Sequence, residues 1–337
     1  MSRSVPRWAG TVAALALGVA LTSCTSTSGS SASTSTPGSD TTSAEPQLSA
    51  SPNHDPSREE QVTALWEDVH AQRLAQVYAA AGPDVGVFAN LATQQAAEAL
   101  LDLIRAARGD VPTNLVGSEV WPSVDISAGG DKAAIADCIL VAMRPASQPD
   151  AGPTVHSQVW KGSAVATDDG WLIDAISVGA DNCVPRELNQ QLLGAYADYH
   201  KSWTAAWDPP DASHPLLERT MTGKRLEGIR RLLEADRAKG ITFRDPHDPL
   251  ENAVVFELGI GQATVSDCHQ AHPGYGAYDV ETGERLEKVI PPVDPGQLNL
   301  TSVRLIRTDG GVWKVAEAAA RTDTNCEPRG TRYVVAP

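Results

Sequence analysis

Asn182-Cys183-Val184-Pro185 returns later in the chain as Asn325-Cys326-Glu327-Pro328, and Asp137-Cys138 returns as Asp267-Cys268. Outward from these pairs the same order of features repeats. Upstream, Thr93, Glu98, Leu100, Leu103, Ile104 and Arg108 recur at a constant spacing of 129 residues as Thr222, Glu227, Ile229, Leu232, Leu233 and Arg237. Their apolar members keep to one side at helical spacing. An earlier helix precedes each. Val62, Leu65, Trp66 and Val69 fall at i, i+3, i+4 and i+7, and Leu192, Tyr196, Tyr199, Trp203 and Trp207 line one face. These helices stop at breakers, Gly82-Pro83-Asp84 and Pro209-Pro210-Asp211. Past the second helix of each copy the pattern turns strand-like, with Trp171-Leu172-Ile173 matching Trp313-Lys314-Val315 after glycine turns. One unit therefore runs from about 61 to 185 and its copy from about 191 to 328. The expected class is α+β: two tandem copies of a helix-helix-antiparallel-sheet domain, with helices packed on one face of a curved sheet.

The first 57 residues read differently. Arg3 and Arg7 open a positive start, the apolar run Trp8–Leu21 follows, and Thr22-Ser23 leads into Cys24. This has the three parts of a secretory signal, and the run is shorter than the roughly 20 residues that span a bilayer core. The stretch Leu21-Thr22-Ser23-Cys24 resembles the bacterial lipobox, which implies lipid attachment at Cys24 and cleavage before it. Ser and Thr then dominate up to Ser51, with interspersed prolines and almost nothing apolar to bury, so a disordered tether is expected there. The expected organisation is a signal peptide over 1–23, lipidated Cys24 and tether over 24–57, and domains over 58–188 and 189–337.

The repeat also orders the cysteines. With Cys24 committed to lipid, Cys138, Cys183, Cys268 and Cys326 allow three pairings. Only Cys138–Cys183 with Cys268–Cys326 treats the copies alike, and an extracytoplasmic site favours disulfides. A structural zinc site built on cysteine would need a close Cys-x-x-Cys pair, and the chain contains none.

Several motifs carry a family resemblance: the aromatic helix Tyr196–Trp207, the link Pro210–Pro215, Thr222-Gly223, Asp267-Cys268, Asp279-x-x-Thr282-Gly283, and Trp313 with Asn325-Cys326. Together they resemble actinobacterial lipoproteins with nuclear-transport-factor-2-like domains. The match covers the second copy well and the first more weakly. The resemblance implies a curved sheet around a cone-shaped pocket. Related domains include cyclase- and isomerase-like enzymes and many binding modules, so the fold does not carry the function with it.

The formal net charge is −15, and losing Arg3 and Arg7 makes it more negative still. Such a balance, with no basic stripe, argues against nucleic acid as a partner. No Ser-x-x-Lys, Gly-x-Ser-x-Gly or His-Glu-x-x-His occurs, which removes common nucleophile and zinc signatures. No cofactor and no metal are expected.

Asp137 and Asp267 share strand faces with Ile135, Ile139 and Val265, so either could reach a pocket as acid or base, or satisfy neighbouring backbone. His269, His272, Tyr275 and Tyr278 form a group that could hold a metal or move protons, with a polar loop as the plainer reading. The Tyr196–Trp207 stripe reads as core, and His70 and His200 as helix-surface residues. The second copy also carries added length between Cys268 and the strand starting near Leu298, so His269, His272, Tyr275 and Tyr278 are the candidate ligand or partner contacts. The expected function is a membrane-anchored, extracytoplasmic, non-catalytic binding or interaction module. Its partners would be the membrane through the lipid and an envelope protein or small molecule. The alternative is a cyclase-, isomerase- or dehydratase-like enzyme using the pocket.

Overall fold

A computed structural model describes residues 56–79, 81–108, 113–294, 296–323 and 333–336. The leader, Cys24, the tether as far as residue 55, Asn325 and Cys326 lie outside the described residues. Helix α1 (Arg58–Tyr78) starts at a reciprocal cap, in which Ser57 Oγ accepts from the Glu60 amide and the Glu60 carboxylate accepts from the Ser57 amide. It buries Val62, Leu65, Trp66 and Val69, the face its spacing predicts, and His70 and Arg73 besides. A short 3-10 turn, Val85–Phe88, leads to α2 (Gln94–Ala107), capped by Thr93 Oγ1 on the Ala96 amide.

Strands β1 (Thr113–Glu119), β2 (Ser123–Ile126), β3 (Lys132–Pro145), β4 (Thr154–Thr167) and β5 (Gly170–Asp181) follow. They form one antiparallel sheet in the order β1-β3-β4-β5, with β2 also on β3. The short β6 (Cys183–Val184) ends this half.

The second half also places helices ahead of an antiparallel sheet. Helices α3 (Arg186–Trp207), α4 (Pro215–Thr220) and α5 (Gly223–Ala238) precede β7 (Ile241–Arg244), β8 (Ala253–Gly259), β9 (Gln262–Gln270) and β10 (Gly276–Asp279). Then come β11 (Leu298–Arg307), β12 (Trp313–Asp323) and β13 (Val334–Val335). The main sheet is antiparallel, in the order β12-β11-β9-β8. β10 pairs with β7, and β13 lies parallel to β6. The protein is thus a mixture of helices and antiparallel sheet.

The halves share details as well as plan. Just before α2 and just before α5 the chain bridges in parallel to a strand of the following sheet, Ala92 to Ile173 and Met221 to Val315. The following amides donate to those strands, Thr93 N to Ile173 O at 2.8 Å and Thr222 N to Val315 O at 3.0 Å. A buried strand aspartate accepts from an aromatic side chain on the first helix in both. Trp66 Nε1 donates to Asp137 Oδ2 at 2.7 Å and Tyr196 OH to Asp267 Oδ2 at 2.8 Å, each across 71 residues of sequence.

Cys138 and Cys183 are bonded, with Cα atoms 5.9 Å apart across 45 residues. In the chain-entropy account a loop of that length stabilises by about 4 kcal/mol. Asn182, immediately before the bonded Cys183, has φ +62°, a conformation that asparagine tolerates better than most residues. That gives the Asn-Cys order of the repeated motif a local reason. Cys268 is also disulfide-bonded, and its expected partner Cys326 lies outside the described residues.

Residues from Asp55 onward form one compact unit. Cys138, Leu140, Cys183 and Val184 of the first half pack into the same apolar cluster as Leu188, Leu192 and Tyr196 of α3. No helix among the described residues is long and apolar enough to cross a membrane.

Candidate functional site

Helix α3 presents Tyr196, Tyr199, His200 and Trp203 along one stripe, at the i, i+3, i+4 and i+7 positions that share a helix face. In sequence this stripe reads as core. In the structure Tyr196 and Tyr199 are buried, yet all four residues also line a cavity of about 540 Å³. Opposite the helix stand Thr301 and Asn299 of β11 and Ala318–Arg321 of β12. Ile290, Pro291, Pro292 and Val293 complete the rim together with Tyr275.

The floor is a chain of ionisable side chains. Asp245 and His247 come from the link after β7, and Asp267 and His269 from β9, where spacing by two puts both on one sheet face. His247 stands between two carboxylates. Its Nδ1 lies 2.7 Å from Asp245 Oδ1 and its Nε2 lies 3.1 Å from Asp267 Oδ2. Burial pulls the His247 pKa down, but these two hydrogen bonds outweigh it and raise the ring to about 9. The protonated ring therefore donates through both nitrogens. Asp245 responds in the opposite sense. Burial opposes its charge, and the His247 hydrogen bond together with the nearby His200 ring holds the carboxyl well below the usual range. Asp267 behaves alike, with His247, His269 and Tyr196 lowering it to about 2 against burial.

Two further approaches are close without being aligned. His200 Nε2 sits 3.5 Å from Asp245 Oδ2 and His269 Nδ1 3.3 Å from Asp267 Oδ2, yet both nitrogens are buried without a well-directed hydrogen bond, as is Asp267 Oδ1. The ring of His269 stacks on that of His247, centroids 3.8 Å apart and planes 6° off parallel, while His200 meets His247 edge-on at 4.3 Å. Two trios, His200–Asp245–His247 and His247–Asp267–His269, each bring three ligand-type atoms within 4.8 Å of one another. Near the opposite side Arg225 donates through Nη2 to Tyr199 OH.

In the first half the side chains at the matching sequence positions pack against one another. Trp66, His70 and Arg73 stand 130 residues before Tyr196, His200 and Trp203. His70 is 1% exposed and packs against Trp66 and Trp160 at 4.6 and 4.9 Å, with the Arg73 guanidinium 4.4 Å from the Trp160 ring. The difference begins at one register position. Asp137 lies across from Trp160, whereas Asp267 lies across from Thr301. Where the first half has an indole, the second has a small hydroxyl side chain and a cavity.

Three placements correct the sequence reading. His70 is buried and His200 lines the cavity, so neither is a helix-surface residue; their faces meet the sheet rather than solvent. His269 belongs to β9 and is 7% exposed, so it is not part of a polar loop. His272 turns away from it, its Nδ1 accepting from the Gly274 amide at 2.9 Å. Tyr275 lines the cavity, whereas Tyr278 donates to Gly274 O at 2.8 Å and lies under Arg244. Asp137 fits the plainer reading, accepting from the Trp121 amide at 2.7 Å as well as from Trp66. Asp245 and His247 were not foreseen. The signal available was the spacing Asp245-Pro246-His247, which repeats as Asp267-Cys268-His269.

No protein-family model matches the chain, and no curated protein matches it. Among solved structures, the chain is similar to the intermembrane-space region of the chloroplast protein ARC6, at 17% identity and a TM-score of 0.26, over 38% of this chain and 99% of that one. It is also similar to an NTF2-like protein involved in plasmid conjugation, at 10% identity and a TM-score of 0.23, over 80% of this chain and 100% of that one.

Proposed function

We propose that the protein is a membrane-anchored extracytoplasmic binding module, built from two copies of one α+β domain, of which the second binds a small organic molecule. The duplication is supported by the paired Trp66–Asp137 and Tyr196–Asp267 contacts and by the matching bridges ahead of α2 and α5. The observation that carries the binding assignment is the exchange of Trp160 for Thr301 opposite the buried aspartate. It leaves about 540 Å³ beside aromatic side chains in the second half, within the range of ordinary ligand pockets. Tyr199 and Trp203 offer flat apolar surface, and Arg225 offers positive charge, so the ligand is an aromatic or cyclic molecule bearing an acidic group.

Binding fits better than general acid–base catalysis. In the metal-free protein His247 has both ring nitrogens engaged by carboxylates, so it holds its proton between them and offers no free nitrogen to a substrate.

An anilinonaphthalene sulfonate dye tests the assignment, because it joins an aromatic body to one negative charge. The full chain should enhance its fluorescence, and Thr301→Trp, which restores the indole of the first half, should remove most of that signal while the protein stays folded. Equal enhancement by the variant would place the dye elsewhere and sink the proposal.

A further inference from the structure

Three elements deliver nitrogen and oxygen donors to the cavity floor at ligand-to-ligand distances. We infer that His200, Asp245 and His247 bind a divalent transition-metal ion, zinc being the simplest occupant, with its remaining coordination positions facing the cavity.

Donor chemistry supports this. Two imidazoles and one carboxylate suit zinc and its neighbours in the transition series rather than magnesium or calcium, which prefer oxygen. Geometry supports it too. In a tetrahedral site with bonds of about 2.0–2.1 Å, donor atoms stand roughly 3.3 Å apart. The two Asp245 oxygens already face the two rings, Oδ1 at 2.7 Å from His247 Nδ1 and Oδ2 at 3.5 Å from His200 Nε2. The ligand atoms of His200, Asp245 and His247 lie within 4.8 Å of one another, and a metal ion would displace the Nδ1 proton that His247 shares with Asp245. His200 Nε2 is buried and makes no hydrogen bond, a condition that coordination would relieve.

The far side of His247 is an independent observation. Its Nε2 faces Asp267 Oδ2 at 3.1 Å, and Tyr196 OH fixes that same oxygen at 2.8 Å. Metal-bound histidines typically donate their other N–H to a carboxylate in this way, which sets the tautomer and orients the ring. The rival trio, His247–Asp267–His269, fails on orientation. Its two histidine rings are stacked 3.8 Å apart and nearly parallel, so their in-plane lone pairs run side by side and do not meet.

Because His200, Asp245 and His247 all line the cavity, three protein ligands leave a position open to a water or to an acidic group of a bound molecule. The inference goes beyond the pocket assignment and is tested without any organic probe, so either can fail alone.

The test uses the full chain, stripped with a chelator and titrated with zinc chloride by calorimetry. One zinc ion per chain should bind, and excess magnesium should not compete. His200→Ala should weaken binding by about 100-fold or more, and Asp267→Asn, which touches only the outer side of His247, by about 10- to 100-fold. Cobalt(II) gives a second readout, since low-coordinate nitrogen and oxygen donors produce intense visible bands and an all-oxygen octahedral site produces faint ones. Failure of the parent chain to bind zinc overturns the inference. So do unchanged affinity in His200→Ala and a faint cobalt spectrum. If His200→Ala does not fold, the parent cobalt spectrum and Asp267→Asn decide the matter.

Discussion

Trp160 and Thr301 stand at the same place against a buried aspartate, and the two sites have opposite energetics. In the first half Asp137 is 1% exposed, and burial pushes its pKa up against the hydrogen bonds of Trp66 and Trp121. Asp137→Ala would strand the Trp66 indole N–H and the Trp121 amide, each costing about 1–3 kcal/mol when buried without a partner. We expect that variant to lose roughly 3 kcal/mol in denaturant unfolding, with the apparent slope unchanged. His70 beside it makes a pH prediction. Burial first, and the charge of Arg73 second, lower its pKa well below the usual histidine value. In the unfolded chain the ring titrates near 6.5, so below that pH the unfolded state takes up a proton that the folded state refuses. The stability present above about pH 6.5 is therefore lost as the pH falls toward the folded-state pKa. His70→Phe keeps a ring between Trp66 and Trp160 and removes the titration. Between pH 7.5 and 5.5 the variant should lose about 1 kcal/mol less than the parent, measured with chelator present throughout. Equal losses in both proteins would mean that His70 is not held neutral.

Among the elements, α1 and α3 were legible because apolar side chains recur at helical spacing and each helix meets a proline-containing breaker. The strands around Asp137-Cys138 and Asp267-Cys268 were legible because the repeat showed them twice. What the recurring motifs could not show was the difference between the two halves. Asp245 and His247 occupy a link, Asp245-Pro246-His247-Asp248-Pro249, which has no periodicity, and they reach the site only because β10 pairs with β7 just before it. The aromatic stripe of α3 was read as core because a helix face packed on a sheet and a helix face lining a cavity have the same spacing. Only the partner across the gap, Thr301 instead of an indole, tells them apart. The segment between β9 and β11 now divides into roles. Tyr275 faces the cavity, whereas Tyr278 closes its own turn onto Gly274 and packs under Arg244. Tyr275→Ala should weaken dye binding by about tenfold, near 1.4 kcal/mol, with little change in melting temperature. Tyr278→Ala should do the reverse, loosening the β7–β10 pair. If the two variants behave alike, the division of this segment is wrong.

At the scale of the whole molecule the proposed membrane anchoring can be tested. No helix among the described residues is long and apolar enough to span a bilayer, and the chain is acidic, at −15 formal charge, which disfavours direct docking on anionic lipid. The proposed anchoring places attachment in the residues before the globular unit, where Leu21-Thr22-Ser23-Cys24 resembles a lipobox. A single acyl chain gives only marginal, reversible attachment, whereas two hold stably, since each buried methylene contributes about 0.8 kcal/mol. A diacylglyceryl group on Cys24 meets that requirement. Cys24→Ala removes the attachment point and leaves every residue of the described structure untouched. In detergent phase separation the parent, expressed in a bacterium that processes lipoproteins, should enter the detergent-rich phase and the variant the aqueous phase. The variant should keep the Cys138–Cys183 bridge and the dye and zinc behaviour of the parent, which separates loss of the anchor from loss of the fold. A folded variant that still enters the detergent phase would mean that lipid on Cys24 is not what holds the protein at the membrane.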